Sequence, residues 1–155
     1  MSDEAAGSTE TRSVDLERVW AEHLDGEFGI KDVEATLATM VDDAYVNHMP
    51  VNTGGRGKEE LRAFYRDVFI PSWPSDLEMT PRNRVVGKDQ IVDELQVRFT
   101  HSNQMDWLLP GIAPTGRLVT IDFVVVIQFR DGKVACERIY WDQASVLRQV
   151  GVRAD

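Results

Sequence analysis

The run LVTIDFVVVIQF, inside residues 117–130, limits the fold more than any other stretch. Val119, Ile121, Phe123, Val125, Ile127 and Phe129 alternate onto one apolar face, and Val124 and Val126 make the opposite face partly apolar too. A strand with two apolar faces is poorly suited to an edge or a solvated surface, so it is expected to be central in a sheet or to meet a second copy of the chain. Period-two patterning also marks 77–87, 90–102 and 133–142 as strands. VVGKDQIV and FRDGKVA read as hairpin turns, because Gly-Lys-Asp and Asp-Gly tolerate the positive φ such turns require.

Ahead of these strands the apolar spacing is helical. Ser13 can cap a helix carrying Leu16, Val19, Trp20, Leu24 and Phe28 on one stripe, with Asp15 and Glu17 favourable in its first turn. Asp32 can cap a second helix with Val33, Leu37, Met40 and Val41, which leads into a short extended segment, AYVNHMPV. After the loop NTGGRG, a third helix aligns Leu61, Phe64, Tyr65, Val68 and Phe69 until Pro71 stops it. Helices followed by consecutive hairpin strands predict an α+β domain, an antiparallel sheet with three N-terminal helices packed on one face. One domain over 14–152 is expected, behind a disordered tail over 1–13. WLLPGIAPTGR reads as a loop within that domain, since Trp107, Leu108 and Leu109 are too apolar for a solvated linker.

The net charge of −9 leaves no basic footprint, so neither nucleic acid nor an anionic membrane is expected as a partner. MSDEAAGSTETRS has acids where a signal peptide has bases and lacks an apolar core. No later run is long enough to span a bilayer. Cys136 is the only cysteine, which rules out an internal disulfide and fits a small buried hydrophobe in a reducing, cytoplasmic setting. No HxH, HExxH or His-Cys cluster is present, so no metal is expected. GGRGK lacks the spacing of a phosphate loop. No cofactor is expected.

The candidate chemistry gathers around the last strand. Asp142, among Tyr140, Trp141 and Leu147, is expected to be poorly solvated, with a raised pKa that suits proton transfer beside a carbonyl; the alternative is that it caps the helix QASVLRQV. His48 and His101 have the intrinsic pKa for proton transfer, and either could orient or polarise a substrate beside Asp142, or simply be a satisfied residue at a strand end. His23, on the stripe of the first helix, reads as core or cavity wall. Tyr45, Met105, Trp107 and Phe123 could line a cavity for an apolar ligand, with Trp107 in a proline-bounded loop suited to a lid. Arg138 and Tyr140 share strand parity with Asp142; Arg138 and Asp142 could orient water against an epoxide or form a plain ion pair.

The order of elements, together with YVNHMPV, THSNQMDWLLPGIAPTGRLV and the YWDQ end of the last strand, resembles the nuclear transport factor 2-like superfamily, and within it the SnoaL-like polyketide cyclase branch. The resemblance covers roughly residues 14–152. It implies a cone-shaped sheet around a deep apolar pocket, commonly dimeric through the sheet, with a small apolar organic substrate. It also implies that Asp142 corresponds to the pocket aspartate that serves the cyclases as acid and base, with His48 at the end of the strand after helix two. A second cyclase histidine has no counterpart in 117–130, a place His101 could fill from another strand. The expected activity is cofactor-independent acid–base cyclisation or isomerisation of a carbonyl compound. A limonene-type epoxide hydrolase and a non-catalytic binding or dimerisation module are the alternatives.

Overall fold

A computed structural model of the chain describes residues 15–153. Ser13 and the tail expected over 1–13 lie outside the described residues. Helix α1 (15–24) continues into a wider turn over Asp25–Gly29, where the Ile30 N–H donates to the Asp25 carbonyl at 2.9 Å. Gly26 permits the next segment to approach closely, since a Cβ there would lie 2.4 Å from Thr36 Oγ1. Helix α2 (Val33–Ala38) starts as expected, with the Asp32 carboxylate accepting from the Ala35 N–H at 3.0 Å. It ends sooner than its stripe predicts: Met40 and Val41 already belong to strand β1 (Met40–His48).

The Gly-rich segment expected as a loop contains a short edge strand, β2 (Thr53–Arg56). Gly54 sits at φ 144°, and a Cβ on it would meet the Val46 carbonyl oxygen, so only glycine fits this close pairing. Helix α3 (Gly57–Phe64) also widens in its continuation, Tyr65–Phe69, and ends in a tight turn, Ile70–Ser72, at Pro71. Then come β3 (Glu78–Val86), β4 (Gln90–Thr100), β5 (Leu118–Arg130), β6 (Lys133–Tyr140) and α4 (Gln143–Gln149).

The six strands form one curved sheet in the order β2-β1-β6-β5-β4-β3, so β5 is interior, as its two apolar faces require. Strands β3 to β6 are linked antiparallel neighbours, whereas β1 runs parallel to β6. The sheet is therefore mixed. Hairpin signals are local and foretell only the antiparallel part; the β1–β6 pair joins segments about ninety residues apart. The fold class is the expected α+β arrangement, with α1, α2 and α3 over one face of the sheet. Among the described residues no helix is long and apolar enough to cross a membrane.

Candidate active site

A cavity of about 310 Å³ lies between the concave face of the sheet and the helices. Five strands line it: Val46 and His48 on β1, Glu137 and Ile139 on β6, Phe123 and Val125 on β5, Leu95 and Val97 on β4, and Met79 and Pro81 on β3. Trp20, Phe28, Phe64, Tyr65, Phe69 and Trp73 close it from the helices, and Trp107 from the β4–β5 loop. The Trp107 indole N–H donates to Ser72 Oγ at 2.8 Å and its carbonyl accepts from Thr53 Oγ1 at 2.6 Å, so this ring is a fixed wall.

Glu137 reaches the cavity because β6 carries a bulge. Phe129 pairs with Val134 but Gln128 pairs with Cys136, leaving Ala135 as the extra residue. The inward parity changes there: Val134 is inside before the bulge, and Glu137 and Ile139, opposite Ile127 and Val125, are inside after it. Arg138 and Tyr140 consequently face the other side of the sheet.

Glu137 there meets two groups from the helices. His23 Nε2 lies 2.6 Å from Glu27 Oε1 and 3.2 Å from Glu137 Oε2, between the carboxylates and without a linear hydrogen bond to either. The Tyr65 hydroxyl donates to Glu137 Oε2 at 3.3 Å. His23 Nδ1 is 2.8 Å from Thr39 Oγ1, whose own proton goes to the Thr36 carbonyl at 2.6 Å, so Nδ1 is the donor. Trp20 stacks on the imidazole with ring centres 5.1 Å apart and planes 13° from parallel. Its indole N–H donates to Asp93 Oδ2 at 2.9 Å, and Arg84 grips the same carboxylate at 2.6 and 3.0 Å, which ties α1 to the sheet.

His23, Glu27 and Tyr65 are buried, and burial together with neighbouring charge sets their proton affinities. Burial opposes a charge on His23, but the adjacent Glu137 and Glu27 carboxylates outweigh it and lift its pKa to about 10. Burial raises Glu27 above the usual carboxylate range, with His23 only partly countering it. Burial, reinforced by the two carboxylates, lifts Tyr65 well above an ordinary phenol. Two carboxylates thus face one imidazolium. His23, Glu27 and Glu137 each offer one metal-ligating atom, all within 4.8 Å of one another, a grouping from two distant segments that no sequence motif announces. His23 and Glu27 are already in direct contact at 2.6 Å, and a metal entering there would have to displace the hydrogen on His23 Nε2.

His48 forms the second polar feature of the cavity. Its ring is buried, with centres 4.8 Å from Trp107 and 5.6 Å from Phe64 and Phe69. Burial lowers its pKa to about 4, against a small opposing effect of its bond to Thr53.

Of the residues singled out in the sequence, His48, Trp107 and Phe123 line the cavity. Asp142 does not, which corrects the expected placement: it is exposed and caps α4, accepting from the Ser145 N–H at 3.1 Å. Strand β6 ends at Tyr140, and a helix that starts at once needs an acceptor for its free N–H groups there. His101 also lies away from the cavity. It braces the β4–β5 loop, where its Nδ1 accepts from the Thr115 N–H at 3.3 Å. Met105 is buried in the core without reaching the cavity. Tyr45, Arg138 and Tyr140 occupy the outer face, where Arg138 donates to Tyr45 Oη at 2.9 Å, so no Arg138–Asp142 pair can orient water in the cavity.

Glu27, Tyr65 and Glu137 were not expected in the cavity, and His23 was expected as core or cavity wall. A signal existed for two of them: His23 and Glu27 are polar residues on the apolar stripe of α1, one helical turn apart. Glu137 gave no such signal, because its inward position depends on the bulge.

A model of the family described as "SnoaL-like domain" matches residues 16–137. No curated protein matches the chain significantly. Among solved structures, an NTF2-like protein of unknown function from Burkholderia pseudomallei is 21% identical, with a TM-score of 0.67 over 89% of this chain and 98% of that one. A candidate SnoaL-like polyketide cyclase from Jannaschia sp. CCS1 is 20% identical, with a TM-score of 0.73 over 91% and 94% of the two chains. TerC, co-crystallised with polyporic acid, is 18% identical, with a TM-score of 0.64 over 88% and 98%. At these identities the likeness is one of fold.

Proposed function

This chain belongs to the SnoaL-like domain family, and from that premise we propose that it is an enzyme of acid–base chemistry on a compact, mostly apolar carbonyl compound. The observation that carries the reading is the carboxylate pair, Glu27 and Glu137, opening onto an otherwise apolar cavity with His23 and Tyr65 behind it. Glu137, paired with the His23 imidazolium, takes the proton from the carbon beside the carbonyl. The electron pair of that C–H bond moves into the enol, and Glu27, whose protonated form burial favours, gives its proton to the carbonyl oxygen. Return of a proton at a different carbon is an isomerisation. Attack of the enol carbon on a second carbonyl of the same molecule forms a C–C bond and is a cyclisation. Each route moves protons and electron pairs within the substrate and calls for no redox partner. TerC's co-crystallisation with polyporic acid supports a small organic ligand in this fold.

Proton–deuteron exchange tests this before the natural substrate is known. Compact cyclic and aryl ketones are incubated with the protein in heavy water, and loss of the α-proton signal is followed by NMR. The wild type and Asp142→Asn should catalyse exchange of at least one ketone, and Glu137→Gln, with an intact circular dichroism spectrum, should not. No exchange in any ketone, or undiminished exchange in both Glu137→Gln and Glu27→Gln, would leave the cavity as a binding site only.

Two exposed apolar side chains, Val124 and Tyr140, face each other on the outer side of β5 and β6. We propose that this face joins two copies of the chain.

A further inference from the structure

We propose that the compound filling the cavity presents a hydroxyl group to Nε2 of His48, so that the ligand is a compact hydroxylated carbonyl compound rather than a plain ketone. The inference rests on the site of the preceding reading, but it concerns recognition and is tested by binding.

His48 is 3% exposed, and its Nδ1 lies 3.1 Å from the Thr53 carbonyl oxygen. A carbonyl only accepts, so Nδ1 carries the hydrogen. The neutral ring has one N–H, which leaves Nε2 as a bare lone pair, and no described residue donates to it. Turning the ring over would set carbon against the Thr53 carbonyl and lose that bond. Protonating Nε2 is opposed by burial among Trp107, Phe64 and Phe69, which outweighs the attraction of the Glu137 carboxylate. The remaining way to satisfy the ring in a filled, dry cavity is a donor on the ligand. The donor hydrogens nearer the carboxylates cannot serve, since the Tyr65 hydroxyl is spent on Glu137 and His23 is held between Glu27 and Glu137.

The register sets the spacing. Val46 pairs with Glu137 and His48 with Ile139, so His48 and Glu137 are diagonal neighbours on one face, about 8 Å apart at Cα from the strand spacing and a two-residue rise. A carbonyl at the carboxylate pair and a hydroxyl at His48 are thus separated by roughly one six-membered ring. A cavity of about 310 Å³ lies at the small end of ligand pockets, which span about 300–1,000 Å³.

The probes are para-hydroxyacetophenone and para-methoxyacetophenone, which differ only in the donor, titrated by calorimetry and by quenching of the cavity tryptophans. The hydroxyl probe should bind about tenfold more tightly to the wild type. His48→Phe keeps the aromatic wall and removes the acceptor, so the ratio should fall to about one. A nitrogen NMR spectrum of the wild type supplies a second reading that needs no variant: the hydroxyl probe should move the His48 Nε2 resonance and the methoxy probe should not. Equal affinities in the wild type, a preference that survives His48→Phe, or an Nε2 signal indifferent to the hydroxyl would each overturn the proposal. Absence of α-proton exchange with intact hydroxyl selectivity would overturn the catalytic reading alone.

Discussion

Raising the pH from about 7 to about 9 should destabilise this protein by about 2.5 kcal/mol, a figure that follows from the proton held on His23. The His23 pKa is 6.5 unperturbed and about 10 in the folded chain. A pKa raised by folding gives stability that is fully present below the unfolded value and is lost as the pH climbs to the folded one. In that window folding takes up close to one proton, and each pH unit removes about 1.4 kcal/mol per proton. The full interval from about 6.5 to about 10 therefore corresponds to about 5 kcal/mol. Glu27, also raised, adds in the same sense for as long as its folded carboxyl keeps its proton. The groups lowered by folding act elsewhere. His48 and His101 make stability rise with pH below about 6.5 and contribute little above it, and Asp43, Asp76 and Asp106 matter only in acid. Tyr65 releases its proton only beyond the range of an ordinary phenol. The assay is urea unfolding followed by tryptophan fluorescence at constant ionic strength. His23→Gln should flatten the slope. A wild-type stability that changes by less than about 0.5 kcal/mol over the interval, or a slope retained in His23→Gln, would refute the charged state assigned to the cluster.

Two further outcomes are expected. Asp142→Ala should lower stability by about 1 kcal/mol through loss of the α4 cap, measured by urea midpoint, and leave para-hydroxyacetophenone binding unchanged. Light scattering should report a dimer in the wild type and a shift towards monomer in Val124→Asp; a wild-type monomer at working concentration would remove the outer face as an interface.

What the sequence by itself determined was the pattern that needs only neighbours along the chain. The twofold alternation of 117–130 made β5 interior, Asp32 and Pro71 punctuated helices where expected, and the apolar content of WLLPGIAP marked a loop folded into the core. The family resemblance carried the architecture further and placed His48 at the end of the strand after the second helix, while the aromatic character of Trp107 and Phe123 marked them as cavity lining. Tertiary structure decided the chemistry. A single bulged residue, Ala135, reverses the parity of β6 and exchanges Arg138 and Tyr140 for Glu137 on the inner face, an event no alternation rule registers because period two assumes regular pairing. The same strand ends two residues before Asp142, which turns an expected buried acid into an exposed helix cap. His23, Glu27, Tyr65 and Glu137 come from three distant segments, and their proton affinities arise only once they are buried together, since Coulomb attraction and desolvation depend on distance and dielectric, which the chain acquires by folding.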